Sequence, residues 1–404
     1  MTTRMREISI REARRIGLHR QGLLKRDSFG RGKSAVARVI DRLGYVQIDT
    51  ISVVDRAHHH ILKTRVPNYT EQMLDHLVSR SKEVFEYWSH AAAYLPLKDY
   101  RFYRPMMEGF RRSQERELDT TLAAEILARI RNEGPLQSRD FQSPESARSN
   151  GWWDWKPAKE TLERLFLAGR LMIARRAGFQ KVYDLTENVL PSGIDTTTPS
   201  PEQWQRFLVL RVLRGYGIAT AGNITGACRT AGRFVKRPLR KGLLNALREL
   251  TAEGHLEQVR CDGQIWYTFS GALDELPARL PRKEIRFLSP FDHAVIDRKR
   301  TADLFQFDYQ IECYLPETRR TYGYYCLPIL WGDELIGRID AKAVRSAGVL
   351  EVRGLFLEPW VQRDERLEEA LAEGIRRLAE ANGCAAVRGN ALDDVNLAGP
   401  PVIL

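Results

Sequence analysis

The chain has 404 residues, 43% of them apolar and 28% charged, which suits two to four folded domains and excludes a disordered or fibrous protein. Its longest uninterrupted apolar run is Ala91–Leu95, and Met1–Glu7 carries charge without an apolar stretch, so neither a membrane span nor a secretory leader is expected. Lys plus Arg number 63 against 52 Asp plus Glu, a net charge of +11 that is unevenly placed. Residues 1–275 hold 45 basic and 32 acidic side chains, whereas residues 276–404 hold 18 and 20. A positive field over two thirds of the chain favours a polyanionic partner. Fifty of the basic residues are Arg, whose forked donors match phosphate oxygens. The five cysteines form no C-x-x-C pair, which argues against a disulfide framework or a structural zinc site. Reduced thiols, and with them a cytoplasmic, nucleoid-associated location, are expected.

In chain order, Ile10–Leu24 and Lys33–Leu43 read as helices, the second stopped by Gly44. Tyr45–Ile51 reads as a strand, Leu74–Ser79 as a helix and Val84–Leu95 as mixed; residues 1–115 make a modified winged-helix unit. Two clearer copies follow. Residues 116–195 offer helices at Leu122–Ile130 and Lys159–Gly169, then strands Leu171–Arg175 and Gln180–Leu185. Residues 196–276 offer Trp204–Leu213, an extended Gly217–Thr220, a helix Leu239–Leu250, and strands Leu256–Val259 and Gln264–Phe269. The segments Leu162–Leu171 and Leu247–Leu256 align closely, and helices closed by a two-stranded hairpin are the winged-helix order. Residues 277–404 change texture: strands are expected at Tyr309–Leu315, Tyr322–Leu330, Leu335–Val344 and Val349–Phe356, then a helix Glu365–Ala381. The fold class is therefore α+β, tandem winged-helix domains followed by a C-terminal antiparallel, barrel-like β domain.

Gly30-Arg-Gly-Lys-Ser34 resembles the end of a phosphate-binding loop, but its first glycine position is Asp27 and no apolar strand precedes it, so it reads as a basic loop. His58-His59-His60 cannot converge on one ion from consecutive positions, and no metal is expected. Gln47-Ile48-Asp49 is sharper. On a strand its first and third side chains share a face, so the amide could fix a water whose proton the carboxylate accepts. Spacing alone also fits a solvated strand face. Gly151-Trp-Trp-Asp-Trp-Lys-Pro157 reads as inter-domain core; the alternative is that its aromatics, beside Lys156 and Lys159, stack on bases. Ser289–Arg298 reads as a buried, salt-bridged domain joint.

These residues also carry a family resemblance. Val46–Ile51, Arg56-Ala-His58, Glu86–His90, Gly151–Pro157, Leu288–Asp292 with Asp297-Arg298, and Gly337–Lys342 stand in the order and spacing of the winged-helix DNA glycosylases of the YcaQ/AlkX and AlkZ type. The resemblance covers nearly the whole chain. It implies three tandem winged-helix domains and a C-terminal β-barrel around a basic channel for duplex DNA. It further implies excision of alkylated purines, notably N7-alkylguanine, and unhooking of interstrand crosslinks. Gln47-Ile48-Asp49 matches the family's Gln-hydrophobic-Asp branch, which implies Gln47 and Asp49 as the catalytic pair and departs from the toxin-specialised Gln-hydrophobic-Gln branch.

The reading that follows is a monofunctional, cofactor-free glycosylase acting as a monomer on double-stranded DNA with alkylated or crosslinked purines. Arg56, His58 and His90 are candidates to line the site. Arg175, Arg176, Arg240 and Lys241 are candidates to grip phosphates, and Lys156 and Lys159 are further candidates for DNA binding. The alternative is a non-catalytic winged-helix transcriptional regulator, against which stands the lack of a heptad or comparable dimerisation helix.

Overall fold

The computed structural model describes residues 5–114, 119–141, 155–278 and 284–389. Strand β1 (Arg6–Glu7) leads into helix α1 (Ile10–Arg20), where Ser9 and Glu12 form a reciprocal capping box. Helix α2 (Gly32–Leu43) ends at Gly44, whose φ of +76° suits glycine and whose missing Cβ leaves room for Arg211. There follow β2 (Val46–Gln47), α3 (Ala57–Arg65), α4 (Glu71–Ser79), and the hairpin β3 (Val84–Trp88) and β4 (Ala92–Pro96), with β4 central between β2 and β3. The strand expected over 45–51 is cut short. Ile48 still donates to the Ala92 carbonyl, but the Asp49 carboxylate then accepts the Ile51 N–H at 2.7 Å and turns the chain away.

After α5 (Arg104–Gln114) come α6 (Thr120–Glu133), β5 (Leu136–Gln137), α7 (Trp155–Leu167), β6 (Leu171–Ala177) and β7 (Gln180–Leu185), with a sheet order of β5-β7-β6. The helices and hairpin fall where the sequence places them, while Gly151–Asp154 of the tryptophan-rich motif lies outside the described residues. A short α8 (Thr186–Val189) leads to α9 (Pro201–Tyr216), β8 (Ile218–Ala219), α10 (Ala221–Ala227), α11 (Arg229–Val235), α12 (Arg240–Ala252), β9 (Leu256–Cys261) and β10 (Gln264–Phe269). Helix α12 buries Leu243, Ala246, Leu247 and Leu250, the one-face spacing its sequence shows. The N-terminus joins this unit: β1 lies parallel to β9, Arg6 opposite Val259, in a sheet ordered β1-β9-β10-β8.

The C-terminal part contains β11 (Ile285–Phe287), α13 (Arg298–Phe305), β12 (Leu327–Trp331), β13 (Glu334–Val344), β14 (Val349–Leu357), α14 (Glu365–Ala381) and β15 (Ala386–Arg388). Its five strands run in the order β11-β12-β13-β14-β15, antiparallel except for the parallel β14–β15 pair. The sheet curls around α14, which touches both edge strands, and β11 does not pair with β15. The strand expected at Tyr309–Leu315 does not form, and the one expected from Tyr322 begins only at Leu327. Instead Glu312 accepts the Tyr322 and Gly323 N–H groups, and the Tyr309 hydroxyl donates to the Cys326 carbonyl, folding 306–326 into a looped excursion.

One buried ion pair joins the two ends of the chain. Arg65, at the end of α3, forms a bidentate pair with Asp292 at 2.6 and 2.9 Å, both side chains fully buried. Its Nε also donates to the Gln21 carbonyl, and Asp292 accepts the Ala294 N–H. Burial raises the Asp292 pKa, but the Arg65 charge and these hydrogen bonds outweigh it and hold the group below its usual range. Its stabilising contribution is therefore complete at neutral pH and lost as pH falls below about 4. Removing one partner leaves an uncompensated buried charge. Arg65→Met should thus lower the unfolding free energy by about 3–5 kcal/mol in denaturant titration at pH 7. A change within about 0.5 kcal/mol of wild type would show that this joint is not structural.

Candidate active site

Gln47 sits on β2, buried, and His90 sits in the tight turn between β3 and β4, where the Ser89 N–H reaches the Ala91 carbonyl. The hairpin brings the two together, with His90 Nε2 2.7 Å from Gln47 Oε1. Burial, assisted by the nearby Arg211 charge, lowers the His90 pKa to about 4, so the ring is neutral at pH 7. Facing a carbonyl oxygen, Nε2 must carry the hydrogen and donate. This fixes the orientation of the glutamine amide and turns its NH2 group, a pure donor, toward other partners. The Tyr45 ring packs edge-on against His90 at 5.0 Å and holds the imidazole in place.

Asp49 follows two residues later, at the point where the strand breaks. It is half-buried; desolvation raises its pKa, partly opposed by the hydrogen bond from Ile51. No cation pairs with it among the described residues. A carboxylate that is partly dehydrated, uncompensated and singly hydrogen-bonded keeps an oxygen available as a base. The looped excursion from the C-terminal part comes close: the Asp49 charge raises the pKa values of Cys313, Tyr314 and Tyr325 beyond what their burial does. Tyr314 is 74% exposed, an unusual state for so large a side chain. Sequence reading missed these residues because they lay in presumed strands; the signal available was the density of tyrosines between Tyr309 and Tyr325.

The remaining predicted residues divide. Arg176 is corrected: β6 carries a bulge between Ile173 and Arg175, and Arg176 points inward to a bidentate pair with the buried Glu86 at 2.7 and 2.8 Å. Its charge is matched there. His58 is 2% exposed and stacked on Phe179, with its pKa driven well down by burial and so neutral. Arg56 precedes α3 and places its guanidinium 4.4 Å from the Phe179 ring, which also receives Arg176 at 4.6 Å. Phe179, at the tip of the β6–β7 hairpin, is thereby pinned over α3. His59 bonds with the Tyr69 hydroxyl and His60 with the Phe287 carbonyl, each at 2.7 Å. The described residues contain no group of His, Cys, Asp or Glu arranged to hold a metal ion.

Arg175, Arg240 and Lys241 are exposed and make no ion pair among the described residues, and Lys159 lies on the exposed side of α7. The side chain of Lys156 lies outside the described residues. In the glycine-lysine segment, Gly30 and Gly32 adopt positive φ and α2 starts at Gly32, with Lys33 beside His76. No described helix is long and apolar enough to cross a membrane.

Comparisons with known proteins bear on the fold and the family. A solved structure, the DNA glycosylase AlkZ of Streptomyces sahachiroi, matches with a TM-score of 0.60 at 17% identity, over 95% of this chain and 100% of that one. At that identity the likeness establishes the fold. A family model described as DNA glycosylase AlkZ-like matches residues 40–381, a span that includes Gln47, Asp49, His90 and the excursion around Tyr314. With its fold and most of its length accounted for, the chain belongs to the AlkZ-like DNA glycosylase family.

Proposed function

We propose that the protein excises N7-alkylated purines from duplex DNA, including purines joined in interstrand crosslinks, and leaves an abasic site without cutting the strand. The observation that carries this is the single uncompensated carboxylate of Asp49 beside a glutamine whose donor face is fixed by His90. Alkylation at N7 makes the purine cationic and hence a good leaving group. As the bond from C1′ to N9 breaks, its electron pair neutralises the base and the sugar becomes oxocarbenium-like. Asp49 stabilises that cation and takes the proton of the water that bonds to C1′, while the Gln47 amide donates to the water oxygen. A glycosidase acting on neutral sugars needs a second carboxylic acid for its leaving group; here the lesion's own charge replaces it.

A lyase would need an amine nucleophile. Lys63, the nearest lysine in sequence, is engaged with Asp55 at 2.6 Å and Asn382 at 3.2 Å, which supports the monofunctional reading. Exposed Arg175, Arg240 and Lys241 are suited to the DNA backbone, as tandem winged-helix units would present them. The regulator alternative gives way to the family membership.

Asp49→Asn should lower base release from an N7-methylguanine duplex by about 10²–10⁴-fold in single turnover while leaving duplex affinity unchanged. Unaltered release would remove Asp49 from the reaction. His90→Phe frees the Gln47 amide to rotate and should slow release by about tenfold, the cost of one buried hydrogen bond. Wild-type kcat/KM should fall with decreasing pH along a limb lying above the ordinary aspartate pKa of 3.8, because Asp49 protonates early. A limb at or below 3.8 would assign it to another group. Strand cleavage at neutral pH as fast as base release would contradict the monofunctional reading.

A further inference from the structure

An open cavity of about 760 Å³ lies between the C-terminal half of α9, helices α10 and α11, and the start of α13. The buried polar groups on its lining include Arg211 at 5% exposure and His293 at 1%. The Arg211 guanidinium donates to neutral groups, Ser89 Oγ at 3.0 Å, Tyr103 Oη at 3.3 Å and the Cys228 thiol. Its Nε has no partner, and no carboxylate pairs with it among the described residues. Both ring nitrogens of His293 lack partners too. Burial lowers the His293 pKa to about 3, so the ring is neutral and offers one N–H. Native interiors seldom leave such groups unsatisfied, and a buried cation without a counter-charge is costly.

The rest of the wall compounds the imbalance. Arg229 and Arg233 on α11 are exposed at the mouth and make no ion pair among the described residues. The one carboxylate lining the cavity, Asp297, has both oxygens committed, to the Arg300 N–H and to the Asn223 amide, each at 3.0 Å. A cavity with an uncompensated guanidinium, a spare imidazole N–H and two free arginines at its mouth is suited to an anion with several acceptor oxygens. Its position narrows the choice of anion. His90, which holds Gln47, lines the same cavity, and Tyr45 packs on both His90 and His293, at 5.0 and 4.2 Å.

We propose that this cavity seats one backbone phosphodiester of the damaged strand, close to the lesion. Arg211 and the His293 N–H hold its oxygens, and Arg229 and Arg233 close over it. Anchoring that phosphate places the adjoining sugar against Gln47 and Asp49, so the cavity sets the register of the lesion. This rests on the glycosylase reading and names a contact that reading requires.

The test is an interference scan with full-length protein. Duplexes carrying one N7-methylguanine receive a neutral methylphosphonate at each flanking position in turn, and binding is measured in the Asp49→Asn background to prevent turnover. One position within about two nucleotides of the lesion should weaken binding about tenfold and lower the magnitude of the salt slope by about 0.9. Arg229→Ala/Arg233→Ala should weaken binding on unmodified backbone and show a smaller further loss at that position than the parent does. Arg211→Gln should behave likewise, and Arg211→Lys should recover part of the affinity; the exposed pair decides the matter if the buried variant does not fold. Equal sensitivity of variant and parent at every position would overturn the proposal. Absence of base release by the wild type from any alkylated duplex would instead defeat the glycosylase reading, and the interference pattern would still decide whether the phosphate site exists.

Discussion

The segment from Val46 to Arg56 has its two ends in different cores, and the site exists because of that. Val46 and Ile48 pack with the N-terminal helices, whereas Ile51, Val53 and Val54 pack with the C-terminal sheet. Backbone bonds reinforce the split: Ile48 donates to Ala92 on one side, and Ala343 donates to Val53 on the other. Arg345 reaches the Val54 carbonyl, and Lys63 pairs with Asp55 just beyond. Gln47 and Asp49 lie on the bridge between these anchors. A strand that had continued through Ile51 would have placed both residues on one flat face; the turn at Asp49 instead frees its carboxylate to meet the excursion carrying Cys313 and Tyr314.

The arginines show the same economy of charge in two opposite ways. Where an arginine holds the fold together, it is buried and matched, as Arg65 is by Asp292 and Arg176 by Glu86. Other cations are exposed and make no ion pair among the described residues, as at Arg175, Arg240 and Lys241. Arg211 belongs to neither group, being buried without a carboxylate partner among the described residues, and for that reason the proposed phosphate site centres on it.

Much of this was legible before any coordinates. Helix α14 has the bounds its sequence shows, Glu365–Ala381, because amphipathic spacing, an Asp364 cap and an Asn-Gly stop agree with one another. The hairpins β6–β7 and β9–β10 were legible from short apolar runs around glycine turns. The excursion 306–326 was not, since its tyrosines and apolar residues mimic strand composition while Glu312 captures the backbone donors a ladder would need. Strands β11 and β15, three residues each, are too short to show a period, and their pairing is set by distant partners. Gln47 and Asp49 stood out through motif and resemblance. The hydrogen bond from His90 to Gln47 crosses 43 positions and could be named only as a candidate. Arg175 and Arg176 are indistinguishable in sequence, and the bulge in β6 separates an exposed cation from a structural one.

In the proposed reaction Gln47 and Asp49 act as a unit on one water at one sugar. Single-turnover base release from an N7-methylguanine duplex by Gln47→Ala, Asp49→Asn and the double variant measures this directly. Groups acting as a unit are strongly non-additive, so the double variant should be no slower than the slower single variant, within about twofold. Rate losses that multiply would mean that the two residues act independently, and would contradict the account.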